Sequence, residues 1–267
     1  MADRTIRFII PAYNEGSNIA PLLEKTDQKM REKGCRYQII IINDGSTDDT
    51  KDTVEKYAKR MPIQLFNHDG NKGVGEAFRN GFELALKGSS GADVIITKEA
   101  DNTSDLGILD SMLKKIDEGY DVVLASCYAK GGKVVGTTID RRILSSIANL
   151  FLSIFFPIKG VRTYSSFYRA YRADNLKRAF AAYDNRLIEE KGFVCMVEML
   201  IKLSRLPLQI TEIPMILRCD FRKGKSKMNK TRTIATYLRL MTKRFGNDAG
   251  IDEIVDRYNN ITARPKV

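Results

Sequence analysis

Residues 96–105 read ITKEADNTSD. An apolar run at 94–96, VII, stops abruptly, and Glu99, Asp101 and Asp105 follow within seven residues. Two carboxylates one residue apart at a strand end can share one hard cation and leave positions for phosphate oxygens. They can also hold a ribose hydroxyl, or serve only as turn and helix-cap residues. The opposite charge gathers far along the chain. Residues 218–244 carry ten Lys/Arg against one acid, Asp220, and include the stretch FRKGKSK at 221–227. Such a block suits phosphates, anionic lipid or nucleic acid, or is a solvated face.

Composition narrows the classes. The chain has 267 residues, 43% hydrophobic, with a formal charge of +11. That is enough apolar content for a sizeable core, so global disorder is not expected. Cys35, Cys127, Cys195 and Cys219 form no C-x-x-C pair, so neither a zinc site nor a disulfide framework is expected, and a reducing cytosol fits. The single histidine, His68, reads as a loop residue and excludes a multi-histidine metal site. No signal peptide and no membrane-spanning run of 18 apolar residues is read in the sequence. No aromatic stacking platform accompanies the basic block, so nucleic acid is not an expected partner.

Short apolar runs alternate with helical spacing through the first half. Strands are expected at 6–10, 37–44, 63–67, 93–97 and 121–126, and helices at 16–33, about 48–60, 75–86 and near 105–118. This alternation predicts an α/β fold, with a mainly parallel sheet covered by helices on both faces. Ligands bind such sheets beyond the carboxyl ends of the strands. PAYNE (11–15), NDGSTD (43–48) and EAD (99–101) all fall at those ends, so they should share one edge. GNKGVGEAF lacks the third glycine of a dinucleotide fingerprint, and Gly73 and Gly75 are expected to permit close backbone approach at a helix start beside the nucleotide.

PAYNE, NDGSTDDT, NKGVGEAFRNGFELAL, EAD and FRKGKSK, in this order, resemble glycosyltransferase family 2. Within it they resemble the dolichol-phosphate mannose synthase and polyprenyl-phosphate sugar transferase group, from about Arg7 to Tyr237. The resemblance implies a GT-A (nucleotide-diphospho-sugar transferase) fold, a Mg²⁺ or Mn²⁺ cofactor and inversion at the sugar carbon. It implies that Pro11, Ala12, Tyr13 and Glu15 line the nucleotide, with Lys72 and Gly73 nearby, and that Asp44 faces base or ribose. Asp101 matches the second aspartate of the family's Asp-x-Asp metal motif, and Glu99 replaces the first. Arg222, Ser226 and Lys227 match a loop over the donor diphosphate.

The acceptor is expected further on. In DRRILSSIANLFLSIFFPIKG (140–160), Arg141, Ser145 and Asn149 fall at i, i+4 and i+8, beside a large apolar face. That face suits an amphipathic helix lying in a membrane interface, or a core helix. By resemblance, Arg141 and Ser145 contact the acceptor phosphate. Besides Glu99, four positions depart from the family: Thr103 replaces a glutamine ligand, Cys127 an arginine, and Thr163 and Phe167 an aspartate and a glycine. Lys130 or Lys133 could compensate for Cys127.

The expected reaction is metal-dependent, inverting transfer from a nucleotide-diphospho-sugar (GDP-mannose or a UDP-sugar) to a polyprenyl phosphate, dolichyl or undecaprenyl. It takes place at an anionic membrane surface, on the cytoplasmic face. The alternatives are transfer to a glycan or protein hydroxyl, with Glu189, Glu190 or Glu198 as base, and a nucleotide-sugar binder without turnover. The expected division is a GT-A domain over 1–245, with a nucleotide half 1–127 and an acceptor and interface half 128–245, then a tail 246–267.

Overall fold

Residues 39–42 are four consecutive isoleucines, a run that makes sense only in a strand buried on both faces. In the computed structural model, which describes residues 4–224, 230–242 and 248–261, they form the middle of β2 (Arg36–Asn43). β2 lies between β1 (Thr5–Ala12) and β3 (Ile63–Asn67), and β4 (Val94–Thr97) pairs with β1 on its other side, all parallel. β5 (Val122–Ser126) follows. The connecting helices are α1 (Gly16–Glu32), α2 (Thr50–Ala58), α3 (Val74–Lys87) and α4 (Leu109–Asp117). The expected helix near 105–118 opens as a 3-10 turn at Leu106–Ile108, capped by Asp105, whose carboxylate accepts from Gly107 N at 2.9 Å.

After β5 come β6 (Lys133–Val135), α5 (Ile139–Phe155), β7 (Arg169–Arg172), α6 (Ala173–Ala182), α7 (Cys195–Leu203), β8 (Ile210–Pro214), β9 (Ile216–Arg218), α8 (Lys230–Thr242) and α9 (Asp248–Ile261). The main sheet has the order β3-β2-β1-β4-β7-β5-β8. β7 runs antiparallel to both its neighbours, and β6 and β9 form a separate parallel pair. Arg169 of β7 is 0% exposed, yet its guanidinium donates to the carbonyls of Ser166, Met196 and Tyr164 at 2.7–2.8 Å. A buried charge so fully hydrogen-bonded fixes the path of three segments.

Alternate residues of the strands feed two cores. Phe8, Ile10, Ile39 and Ile41 pack with Leu22 and Leu23 of α1, Val54 of α2 and Met112 and Leu113 of α4. Ile9, Ile40 and Ile42 pack with Phe78 and Phe82 of α3, Leu176 of α6 and Met196 and Leu200 of α7. The segment expected as a tail includes α9, whose Tyr258 is buried beneath the Arg178 guanidinium, 3.9 Å from the ring centroid. Among the described residues no helix is long and apolar enough to cross a membrane.

Candidate active site

Because β1, β2, β3 and β4 are parallel, the loops that follow them emerge at one edge of the sheet. A cleft of about 980 Å³ opens there. It is lined by Pro11 and Ala12 at the end of β1, Tyr13 and Glu15 after it, Asp44 after β2, Lys72 and Gly73 before α3, and Glu99 and Asp101 after β4. Arg222 closes it from the segment after β9. The loops after β1 and β4 each turn on an asparagine in the left-handed region, Asn14 at φ 53° and Asn102 at φ 60°, a conformation asparagine tolerates better than most residues.

Asp101 is held from two sides. Its Oδ1 accepts from Thr103 N at 3.1 Å and Thr103 Oγ1 at 2.6 Å; its Oδ2 accepts from Arg222 Nε at 2.7 Å and from a terminal guanidinium nitrogen. Thr103 therefore props Asp101 and does not line the cleft. Glu99 Oε2 accepts from Ser104 Oγ at 2.9 Å. Burial pushes the Glu99 carboxyl up, opposed by Lys98 and reinforced by Asp101. Lys98, buried behind them, is pushed down to about 8 by burial, against the pull of Glu99 and Asp101.

Among the described residues no cluster of three or more His, Cys, Asp or Glu is gathered for a metal. Glu99 and Asp101 are a pair of hard oxygen donors facing an open cleft. That set fits Mg²⁺ or Mn²⁺, which bind through one or two carboxylates and complete their shell with substrate phosphates and water.

Several expected residues have other work. Asp44 Oδ1 accepts from Lys72 N at 2.8 Å and faces His68 Nδ1 at 2.7 Å, and its Oδ2 accepts from Gly73 N at 3.0 Å. Its carboxylate orders the Lys72–Gly73 turn from the cleft wall. His68 lies in the loop after β3, as expected, and is buried there between Asp44 and Asn80. Gly73 has φ 96°, and a Cβ on Gly75 would lie 1.9 Å from Glu190 O. The close backbone approach there is made by the chain's own residues 190 and 191.

Arg141 and Ser145 do not line the cleft; both are exposed on α5, with Arg141 electrostatically felt at Cys219 beside the Arg222 segment. Asn149, expected among the substrate contacts, does not line the cleft: it is buried, donates to Ser145 O at 2.9 Å and accepts from Tyr164 N at 2.8 Å, so its amide fixes α5 to the following segment. Ser226 and Lys227 lie outside the described residues. Cys127, Lys130 and Lys133 do not line the cleft. The Cys127 thiol is pushed up to about 11, chiefly by burial.

The three glutamates also separate. Glu198 is 0% exposed, accepts from Glu189 N and Glu190 N at 2.9 and 2.8 Å, and pairs with Lys202 at 2.9 Å. It holds a loop from inside. Glu189 and Glu190 line the cleft; Glu189 pairs with Lys202 at 2.6 Å and Glu190 with Arg239 at 3.5 Å.

Five contributors were not expected from the sequence: Asn18, Lys98, Thr233, Thr236 and Arg239. Asn18 donates to Glu15 Oε2 and Lys223 O and accepts from Lys223 N, clamping the Arg222–Lys223 segment to α1. Lys98 follows directly on the apolar strand β4 and precedes the acids, which was a readable signal. Thr233, Thr236 and Arg239 reach the cleft from α8 by long-range packing that carries no local signal.

Residues 8–184 match the family model described as Glycosyl transferase family 2. A dolichol-phosphate mannosyltransferase from Pyrococcus furiosus is 28% identical over 251 residues, 94% of this chain and 66% of that relative, so this chain spans slightly less than two thirds of its length. An undecaprenyl-phosphate mannosyltransferase from Micrococcus luteus is 30% identical over 222 residues, 83% of this chain and 86% of the relative. Among solved structures, glucosyl-3-phosphoglycerate synthase from Mycobacterium tuberculosis, in complex with Mn²⁺ and UDP-glucose, superposes with TM-score 0.60 at 17% identity, covering 90% of this chain and 79% of that one. That likeness speaks for the fold, which is of the GT-A type.

Proposed function

Because the chain belongs to glycosyl transferase family 2, we propose that it transfers a sugar from a nucleotide-diphospho-sugar to a polyprenyl phosphate. The observation that carries this reading is the cleft at the carboxyl edge of the sheet, lined by Glu99, Asp101 and Arg222, where Arg222 pairs with Asp101. The names of the two mannosyltransferase relatives favour mannose as the sugar and a lipid phosphate as the acceptor.

Glu99 and Asp101 would hold the divalent cation with the donor diphosphate. A bound Mg²⁺ or Mn²⁺ would neutralise charge on the leaving group. Arg222 can leave Asp101 for a diphosphate oxygen, to which it offers the same two donors. Pro11, Ala12, Tyr13 and Glu15 wall the nucleotide side, and Asp44 presents the Lys72–Gly73 turn to it.

The nucleophile is an oxygen of the acceptor phosphate. It is anionic at neutral pH, so no general base is required. Its lone pair forms the bond to the anomeric carbon as the bond to the diphosphate oxygen breaks. The electron pair departs with the nucleoside diphosphate, no proton moves, and the anomeric carbon inverts. Arg141 and Ser145 guide the phosphate toward the cleft.

The chain would work as a peripheral protein on the cytoplasmic face of an anionic membrane. Supporting this, α5 turns Ile139 (74% exposed), Ile143, Ile147, Leu150, Phe151, Ile154 (64% exposed) and Phe155 outward. An amphipathic helix with such a face lies in the interface and does not span the bilayer. A liposome-reconstituted transfer assay with GDP-mannose and UDP-glucose against undecaprenyl phosphate tests the reaction. Absence of lipid-linked sugar from either donor counts against it.

A second reading has one observation in its favour. Glu190 lies in the cleft wall, where a carboxylate could deprotonate a hydroxyl acceptor. Glu190→Gln would then abolish transfer, whereas the phosphate reading predicts little change.

A further inference from the structure

The strand that delivers the two acids also carries a cation into the core. Lys98 is 1% exposed, at the end of β4 and directly before Glu99. Its ammonium donates to Ser104 O and sits 4.6 Å from the centroid of the Tyr168 ring. Ser104 in turn donates through Oγ to Glu99 Oε2 at 2.9 Å. Neighbouring residues of opposite charge thus reach the same serine, and Lys98 borders the cleft that holds Glu99 and Asp101. Glu99 and Asp101 both act electrostatically on its charge.

This placement is costly as structure alone. Burying an ammonium carries a desolvation penalty that an apolar residue on the same strand would avoid. The carbonyl it satisfies needs only a neutral donor. What a neutral residue could not supply is a fixed positive charge behind the carboxylate pair. Arg222 also reaches Asp101, but from a half-exposed segment. Lys98 is enclosed by the core and cannot swing away.

We propose that Lys98 is a specificity residue that lowers the intrinsic affinity of Glu99 and Asp101 for a divalent cation. The pair then takes the ion together with the negative charges of a diphosphate and holds it poorly alone. Cation and nucleoside diphosphate binding are thereby coupled, and the coupling is reciprocal. The inference rests on the reading of Glu99 and Asp101 as cation ligands, and the test separates the two.

The probe is Mn²⁺ alone, titrated into the full chain and followed by loss of the free-ion electron paramagnetic resonance signal. Lys98→Met removes the charge and keeps the volume. Lys98→Gln removes the charge and keeps a donor for the Ser104 carbonyl. Far-ultraviolet circular dichroism verifies folding of each. Unit charges close to a divalent ion at low effective dielectric are worth well over tenfold in affinity. The expected result is that Mn²⁺ binding tightens at least tenfold in both variants, and that adding Asp101→Asn to either abolishes it. Unchanged or weaker binding in the folded variants overturns the proposal, because a lysine that only anchored the loop could lose affinity on removal but not gain it. No Mn²⁺ binding by the wild type and both variants overturns the ligand assignment itself, and the proposal with it.

Discussion

Arg222 places two guanidinium donors, Nε and a terminal nitrogen, on a single oxygen of Asp101, 121 residues away in sequence. Thr103 occupies the other oxygen from its own hydroxyl and amide. The loop after β4 and the segment after β9 are therefore one unit, with Asn18 clamping Lys223 beside it.

That unit makes Arg222 testable. A charge-assisted hydrogen bond is worth about 1.5–3 kcal/mol, or roughly ten- to over a hundredfold in rate when it acts in the transition state. Arg222→Ala should lower kcat/KM for the donor by about that factor. Arg222→Lys should recover little, because a point charge does not replace the planar fork. Steady-state kinetics of both variants decide it, and an unchanged kcat/KM in Arg222→Ala removes Arg222 from the site.

The turn before α3 gives a packing prediction. A Cβ at Gly75 would sit 1.9 Å from Glu190 O, which is backbone and cannot step aside. Gly75→Ala should cost about 1–3 kcal/mol of stability by overpacking. It should also raise the donor KM, since residues 189–194 line the cleft. Urea unfolding and donor titration measure the two effects.

Asp93 supplies a pH dependence. It is buried and accepts from Thr5 N, Arg7 Nε, Ser90 N and Ser90 Oγ at 2.8–3.1 Å. Burial pushes its carboxyl up, but these hydrogen bonds outweigh burial and leave it below its ordinary value. A carboxyl whose folded pKa is depressed stabilises the fold above its unfolded pKa, near 3.9, and loses that contribution as pH falls through the folded value. Asp93→Asn should therefore destabilise the protein by about 1–3 kcal/mol at pH 7, with the difference from wild type shrinking below about pH 4. Denaturation midpoints from pH 7 to pH 3 test the trend; a constant difference contradicts it.

The outward face of α5 predicts membrane attachment without a span. Basic residues near an anionic surface contribute roughly 1 kcal/mol each, and Arg141 and Arg142 are exposed on the same helix. Flotation with anionic liposomes should carry the protein upward at low salt and less at high salt. Ile147→Asp with Phe151→Asp should leave it at the bottom of the gradient. Wild-type protein that fails to float at low salt speaks against interface binding.

The sheet was legible because two-sided burial writes itself as apolar runs. The expected strands 37–44 and 63–67 correspond to β2 at Arg36–Asn43 and β3 at Ile63–Asn67. The convergence of Glu15, Asp44, Glu99 and Asp101 on one cleft follows from parallel strands ending at one edge. The second half was less readable. β6 and β9 are three residues each and pair across 80 residues of chain, with no periodicity to announce them. Helical spacing placed Asn149 on a face with Arg141 and Ser145, but spacing does not reveal that its amide is spent on Tyr164 N. Glu198 read as a candidate base, but α7, at Cys195–Leu203, is enclosed on all sides, which only the tertiary fold discloses.

The nature of the acceptor is the central claim, and one measurement addresses it most directly. Transfer to undecaprenyl phosphate is followed in wild type, Arg141→Ala and Glu190→Gln, each from pH 7 to 8.5, with donor binding measured alongside. A phosphate nucleophile has its second ionisation near pH 6, so deprotonation of the acceptor should not raise the wild-type rate across this range. Arg141→Ala should fall about ten- to a hundredfold with donor binding unchanged, and Glu190→Gln should stay close to wild type. An inactive Glu190→Gln beside an active Arg141→Ala would contradict the account and assign the chain a hydroxyl acceptor.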